Sequence, residues 1–205
     1  MDVVKKTVEA FDKDVEAYYE NTKNVEPVEV ELRDYYLSLI PKGGRILDVA
    51  CGPGRDCKYF IEKGFEVVGI DLSEKMVEFA RKLVPEAEFY VIDFRDMPDL
   101  GKFDAVHFNA ALPFIPKSEA LPVLKHFHGI LKPGGVIRIS AKNGTEEGMV
   151  LDERYGTEKF MAFYLEDELK ALVEDAGFEI LKFLFLGLKG GYNIHDWMNV
   201  FCKQR

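Results

Sequence analysis

The chain is poor in cysteine, in positive charge and in long apolar runs. Its three cysteines, Cys51, Cys57 and Cys202, are odd in number and form no C-x-x-C pair. That leaves no basis for a disulfide framework or a zinc knuckle; the thiols read as small buried apolar groups in a reducing compartment, and no metal is expected. Acidic residues outnumber basic ones, 36 to 27, for a formal net charge of −9. This sign disfavours nucleic acid as a partner, since phosphate binding calls for a basic surface. No stretch approaches the roughly 18 apolar residues of a membrane span. Met1 to Lys6 offers neither an apolar core nor a cleavage pattern, so a cytoplasmic protein with no signal peptide and no membrane contact is expected. A G-x-x-x-x-G-K-[ST] phosphate loop is also absent.

What is present centres on residues 45–56. A buried-looking strand (Ile46, Leu47, Val49) runs into a turn carrying Gly52 and Gly54, and a helix follows. Glycines at a strand-to-helix turn let backbone approach a bound ligand, because no Cβ stands in the way. With 205 residues and 47% apolar content, the chain suffices for a single domain with a proper core.

The hydropathy pattern predicts an amphipathic helix over 3–20 and a second over 28–39, with Pro27 between them and Pro41-Lys42-Gly43-Gly44 closing the pair. From residue 45 strand and helix alternate: strands at 45–50, 65–70, 87–92, 103–109 and 136–140, helices at 55–63, 74–83 and 116–131. Such alternation argues for a parallel sheet with helices on both faces. Residues 141–163 are polar and Gly-punctuated, too long for an ordinary connection, and read as a functional insertion. A helix at 166–176 precedes apolar runs at 178–186 and 197–203. The link between those runs is too short for a helical crossover, so they should pair antiparallel. The expected fold class is α/β, a Rossmann-like three-layer sandwich. Its seven-stranded sheet is mostly parallel, ends in an antiparallel hairpin and is led by two helices.

A dinucleotide fingerprint, G-x-G-x-x-G, ends in a glycine that allows close helix–strand packing. Here Cys57 stands in that place, which weakens the dinucleotide reading. Five stations in order instead resemble class I S-adenosylmethionine-dependent methyltransferases, in the compact single-domain branch that acts on small molecules. They are Ile46-Leu47-Asp48-Val49-Ala50-Cys51-Gly52-Pro53-Gly54, Val67 to Ser73, Val91-Ile92-Asp93-Phe94, Phe103-Asp104-Ala105-Val106, and Leu131 to Val136.

The resemblance implies S-adenosyl-L-methionine as cofactor and a role for each matched residue. Asp71 would accept from both ribose hydroxyls, as a carboxylate with two oxygens can. Asp93 would accept from the adenine amine, with Leu72, Met76 and Phe94 as apolar walls. Asp48 would lie near the cofactor's amino group. Gly52 and Gly54 would let the methionine part pass over the turn, and Ala50 stands where the family often has its first glycine. Asn109 would sit beside the methyl group, and Tyr19, closing the leader helix, would cover the cofactor. The leader (1–40) then acts as a lid, 45–140 as the cofactor half, and 141–205 as the acceptor side of one domain.

The acceptor should sit beyond strand 103–109, near Asn109-Ala110-Ala111-Leu112-Pro113-Phe114. Amide- and adenine-modifying relatives carry N-P-P-[YF] there, and small-molecule relatives often a His where this chain has Phe114, which cannot serve as a base. No catalytic residue is assigned. Methyl transfer needs alignment above all, worth about 7–11 kcal/mol in favourable cases. Further candidates for the acceptor side are Tyr18, Glu146, Glu147, Arg154, Tyr155, Phe163, Tyr164 and His195. The expected function is methyl transfer to a small-molecule acceptor. The alternatives are a protein or RNA methyltransferase and a non-catalytic cofactor-binding module.

Overall fold

A computed structural model describes residues 2–152, 156–186 and 197–205. The five parallel strands form where apolar runs predict them: β1 (Arg45–Val49), β2 (Glu66–Asp71), β3 (Glu88–Val91), β4 (Phe103–Phe108) and β5 (Leu131–Lys142). Two antiparallel pairs follow, β6 (Glu147–Asp152) with β7 (Thr157–Ala162), and β8 (Phe178–Leu186) with β9 (Trp197–Gln204). The main sheet has seven strands in the order β3-β2-β1-β4-β5-β9-β8, and β9 alone runs against both neighbours. The expected terminal hairpin is therefore present, with Leu186 paired to Trp197 and Phe178 to Gln204.

Helices cover both faces. α3 (Pro27–Ser38), α4 (Arg55–Glu62) and α5 (Glu74–Leu83) bury Leu32, Tyr36, Phe60 and Val77 against Ile46, Val67, Ala105 and Phe201 on one side. α6 (Lys117–Ile130) and α7 (Glu166–Asp175) bury Val123, Phe127 and Leu169 against Val49, Ile70, Phe108 and Ile139 on the other. The period-two alternation of each strand assigns its residues to these faces.

Three expectations change. The helix predicted over 3–20 is two helices, α1 (Val3–Phe11) and α2 (Val15–Thr22). Asp14 leaves the helical conformation and accepts from Ala17 N at 2.8 Å as the N-cap of α2, while Asp2 caps α1 through Val4 N at 2.9 Å. Aspartate side chains that cap a new helix stop the old one. The strand expected over 136–140 begins at Leu131, which pairs with Phe103 before the register shifts around the Gly134-Gly135 turn. The polar insertion at 141–163 contains the β6–β7 hairpin, whose Phe160 and Ala162 are buried in the core that also holds Val4 of α1. Thr7 Oγ1 of α1 accepts from Phe160 N at 2.9 Å. No described helix is long and apolar enough to cross a membrane.

Candidate cofactor and acceptor site

The turn after β1 is held in the left-handed region at three points: Ala50 (φ 54°), Gly52 (φ 54°) and Gly54 (φ 85°). Two of the three are glycines, as that conformation favours. Gly54 has a second reason, because a Cβ there would lie 3.0 Å from Ala80 Cβ of α5. Ala50 carries the strain of its methyl group at a position that glycine would occupy freely.

Asp71, at the end of β2, ties this turn in place. One carboxylate oxygen accepts from Gly52 N and the other from Ser73 N, both at 2.9 Å. Burial pushes the Asp71 carboxyl up, against these two bonds that pull it down. Each oxygen keeps a lone pair for a further donor.

A cavity opens above the turn, with about 1040 Å³ of empty space counting its open mouth. Its walls include Asp48, Ala50, Gly52, Asp71, Leu72, Met76, Asp93, Phe94 and Asn109. Gly54 lies beneath, against α5. Tyr19 does not line the cavity: its ring packs on Phe79 at 5.1 Å, and Tyr18 faces the space instead. Neighbouring residues of a helix point about 100° apart, so one tyrosine of the pair must face away.

Asp93 is not a free carboxylate. It accepts from Arg95 Nε at 3.0 Å and Nη2 at 2.6 Å. Partial burial would raise its carboxyl, but the Arg95 guanidinium holds it below the usual range. Arg95 also bonds Asp2 at 2.7 Å and Glu119 at 3.2 Å. The start of α1 is thereby tied to the rim of the cavity, and Val4, Thr7, Val8 and Phe11 form its roof. At the other end of α1, Ser73 Oγ donates to Asp12, and Lys75 Nζ donates to Asp12 O at 3.0 Å.

Sequence reasoning passed over a polar row buried beneath this site. Asp48, His107 and Arg138 stand in register across β1, β4 and β5, all on the α3 side of the sheet. Asp48 accepts from the Cys57 thiol at 3.0 Å. Burial and the neighbouring Asp56 charge push the Asp48 carboxyl well up. Asp56 is itself buried, but Arg55, His107 and Arg33 hold it ionised, far below the usual range. Burial lowers His107, whose Nε2 lies 3.3 Å from Asp56 Oδ2. Arg138, wholly buried, pairs with Glu29 at 2.9 Å and with Asn199 Oδ1 at 2.8 Å. The one signal available was parity: each of these strand residues is polar at a position where the alternation asks for an apolar side chain.

A second cavity, with about 760 Å³ of empty space counted the same way, lies on the β5–β9 side, walled by Glu26, Glu29, Ser140, Trp197 and Asn199 among others. It shares Thr22, Arg55, Asn109 and Ala110 with the first. Asn109 is oriented at this junction by Ser140, whose Oγ donates to Asn109 Oδ1 at 2.8 Å and accepts from Ala110 N at 2.6 Å. Among the other acceptor-side candidates, Glu147 caps α6 by accepting from Lys117 N at 3.0 Å. Phe163 and Tyr164 are buried away from both cavities, and Glu146 lines neither. Arg154, Tyr155 and His195 lie outside the described residues.

Residues 46–135 match the family described as methyltransferase domain. A putative methyltransferase, YqeM, of Bacillus subtilis is 38% identical over 104 residues, 48% of this chain and 42% of the relative. Trans-aconitate 2-methyltransferase of Variovorax paradoxus is 33% identical over 111 residues, 53% and 42% of the two chains. This chain thus spans less than half the length of those relatives. By structure it is similar to a Burkholderia thailandensis 1,6-didemethyltoxoflavin-N1-methyltransferase solved with S-adenosylhomocysteine. That match has a TM-score of 0.74 and 18% identity, and covers 98% of this chain and 86% of the other.

Proposed function

We infer that this chain, which belongs to the S-adenosylmethionine-dependent methyltransferase family and carries its methyltransferase domain at residues 46–135, transfers a methyl group to a small-molecule acceptor. The observation that carries this reading is Asp71. It is a half-buried carboxylate that accepts from Gly52 N of the glycine turn and from Ser73 N ahead of α5, and it still faces the first cavity.

The cofactor, when bound, supplies an activated methyl whose C–S bond breaks, its electron pair staying on sulfur, as the acceptor's lone pair forms the new bond to carbon. The chain's task is then binding, alignment and exclusion of water. Asp71 takes the ribose hydroxyls on the two lone pairs that Gly52 and Ser73 leave. Leu72, Met76 and Phe94 give the base an apolar slot, with the Asp93–Arg95 pair at its edge. Gly52 would let the amino-acid part approach the turn, with Asp48 near its amino group. The described part of residues 1–40 closes the site from above, and the described part of 141–205 borders the acceptor side of the same domain. Small acceptors are supported by the trans-aconitate methyltransferase relative.

Two measurements test this together. Calorimetry with S-adenosylhomocysteine reads the donor site, and incubation with methyl-labelled cofactor and size-fractionated cell extract reads the acceptor. Label in the low-mass fraction is expected. Label in protein or RNA, or tight binding with no transfer to any fraction, would overturn the small-molecule reading.

A further inference from the structure

The second cavity touches the first at Arg55 and Asn109 and then runs away from the cofactor residues toward β9. Its floor carries Asn199, which is 2% exposed. The Oδ1 of Asn199 is taken by Arg138 at 2.8 and 3.2 Å, and its amide nitrogen has no partner among the described residues. Asn109 repeats the pattern, since Ser140 holds its oxygen and its amide N–H groups are left over. Arg55 commits Nε and Nη2 to Asp56 and Nη1 to Thr22 O; two of its five N–H groups are uncommitted. Asn199, Asn109 and Arg55 thus have donors to spare here, beside the carboxylates of Glu26 and Glu29 that line the same cavity.

Charge points the same way. Arg33, Arg55 and Arg138 gather beneath and beside the cavity against the carboxylates of Asp56 and Glu29. Asp48, the remaining acid of the cluster, is kept largely uncharged by burial. Among the buried groups three guanidiniums face two carboxylates; Glu26, which also lines the cavity, is exposed at its mouth and offsets that surplus only through solvent. Glu29 does not repel such an anion strongly, because both its oxygens lie within 2.9 Å of Arg138.

We propose that the second cavity is the acceptor pocket and that it takes a small molecule bearing a carboxylate, gripped by the Asn199 amide and Arg55, with Asn109 orienting the methyl-accepting end. This rests on the methyltransferase reading above. It adds the class of acceptor and the residues that select it.

Trp197, the only tryptophan of the chain, lines this cavity and reports on it by fluorescence. The protein is first saturated with S-adenosylhomocysteine, followed by calorimetry, so that the cofactor's own carboxylate is already in place. It is then titrated with malonate, with the uncharged malonamide, and with propane-1,3-diammonium. Malonate alone is expected to give a saturable change. Asn199→Asp retains an acceptor for Arg138 while replacing the amide donor with a carboxylate. It is expected to weaken malonate at least about tenfold and to leave S-adenosylhomocysteine affinity within about twofold of the parent protein. A diammonium response, equal responses to malonate and malonamide, no response to any probe, or an unchanged malonate affinity in Asn199→Asp would each overturn the acceptor proposal while the cofactor site stood. Failure of S-adenosylhomocysteine to bind at the outset would instead refute the methyltransferase reading, and this inference with it.

Discussion

Replacing Asp71 is the sharpest test of the donor site, and the informative substitution is asparagine. Both carboxylate oxygens accept from backbone N–H groups, Gly52 on one side and Ser73 on the other, each at 2.9 Å. An asparagine side chain has one acceptor oxygen, so either flip sets its NH2 group against one of those N–H donors. Asp71→Asn is thus no milder than Asp71→Ala, although asparagine is nearly isosteric. A hydrogen bond to a charged group is worth about 1.5–3 kcal/mol. Losing even one ribose contact therefore costs about ten- to a hundredfold in S-adenosylhomocysteine affinity. The stranded N–H adds about 1–3 kcal/mol of lost stability, which at this size lowers Tm by about 2–4 °C per kcal/mol. Isothermal calorimetry and a thermal melt read the two effects separately. An asparagine variant that bound within twofold of the parent, or that melted with it, would refute the assignment of both carboxylate oxygens.

Other consequences of the geometry are equally open to measurement. Gly54→Ala meets a φ of 85° and a Cβ contact of 3.0 Å with Ala80, so a loss of about 2–4 kcal/mol is expected in urea unfolding; a loss under about 1 kcal/mol would contradict the close packing of the turn on α5. The Asp48 carboxyl is raised by burial, so its protonated form favours the fold. The stability it supports is full below the unfolded value near 4 and declines as pH rises through the folded value. Asp48→Asn should therefore gain in Tm relative to the parent as pH increases from 5 to 9, and a constant difference would count against the raised carboxyl. Arg95→Ala removes the cation that joins Asp2, Asp93 and Glu119; hydrogen exchange in α1 should quicken about tenfold or more, with unchanged exchange in α6 as the control, and an unaltered α1 would show that the contacts with β7 suffice to hold it.

Much of this was legible in the sequence, for definite physical reasons. The strand–helix alternation from residue 45 onward has a strong period, and the short link after Leu186 leaves only an antiparallel pairing. The turn beneath the first cavity was legible because a βα turn of this kind constrains residue type: left-handed backbone at Gly52 and Gly54, a carboxylate at Asp71 that accepts from Gly52 N. Other features depend on tertiary context. The break between α1 and α2 comes from Asp14, which caps α2 but would also suit a helix surface, so amphipathicity runs straight through it. Tyr18 and Tyr19 are chemically alike, and only the packing of Tyr19 on Phe79 decides which one faces the cavity. The β6–β7 pair hides in a polar stretch because one of its edges faces water, leaving Met149, Val150 and Leu151 partly exposed and the alternation faint.

The polar row illustrates a more general limit, and it also explains how two cavities come to share a wall. Asp48, His107 and Arg138 look like isolated faults in apolar strands until the register sets them side by side. Buried ionic groups of this kind cost desolvation energy that an apolar core of the same volume would not, so their contribution to folding is weak justification for them. What they achieve is placement. Asp56 fixes Arg55 from beneath through two bonds, and Thr22 O fixes it from above, so the guanidinium stands rigidly where the cavities meet. At the far end Arg138 locks the Asn199 oxygen, which commits that amide to presenting its N–H groups. Between them Ser140 does the same to Asn109. Three donors are thus oriented by three separate buried partners, Arg55 and Asn109 where the two cavities meet and Asn199 in the second. Donors held in fixed orientation where two cavities meet are what the proposed acceptor pocket would require to hold an acceptor in line with a methyl group.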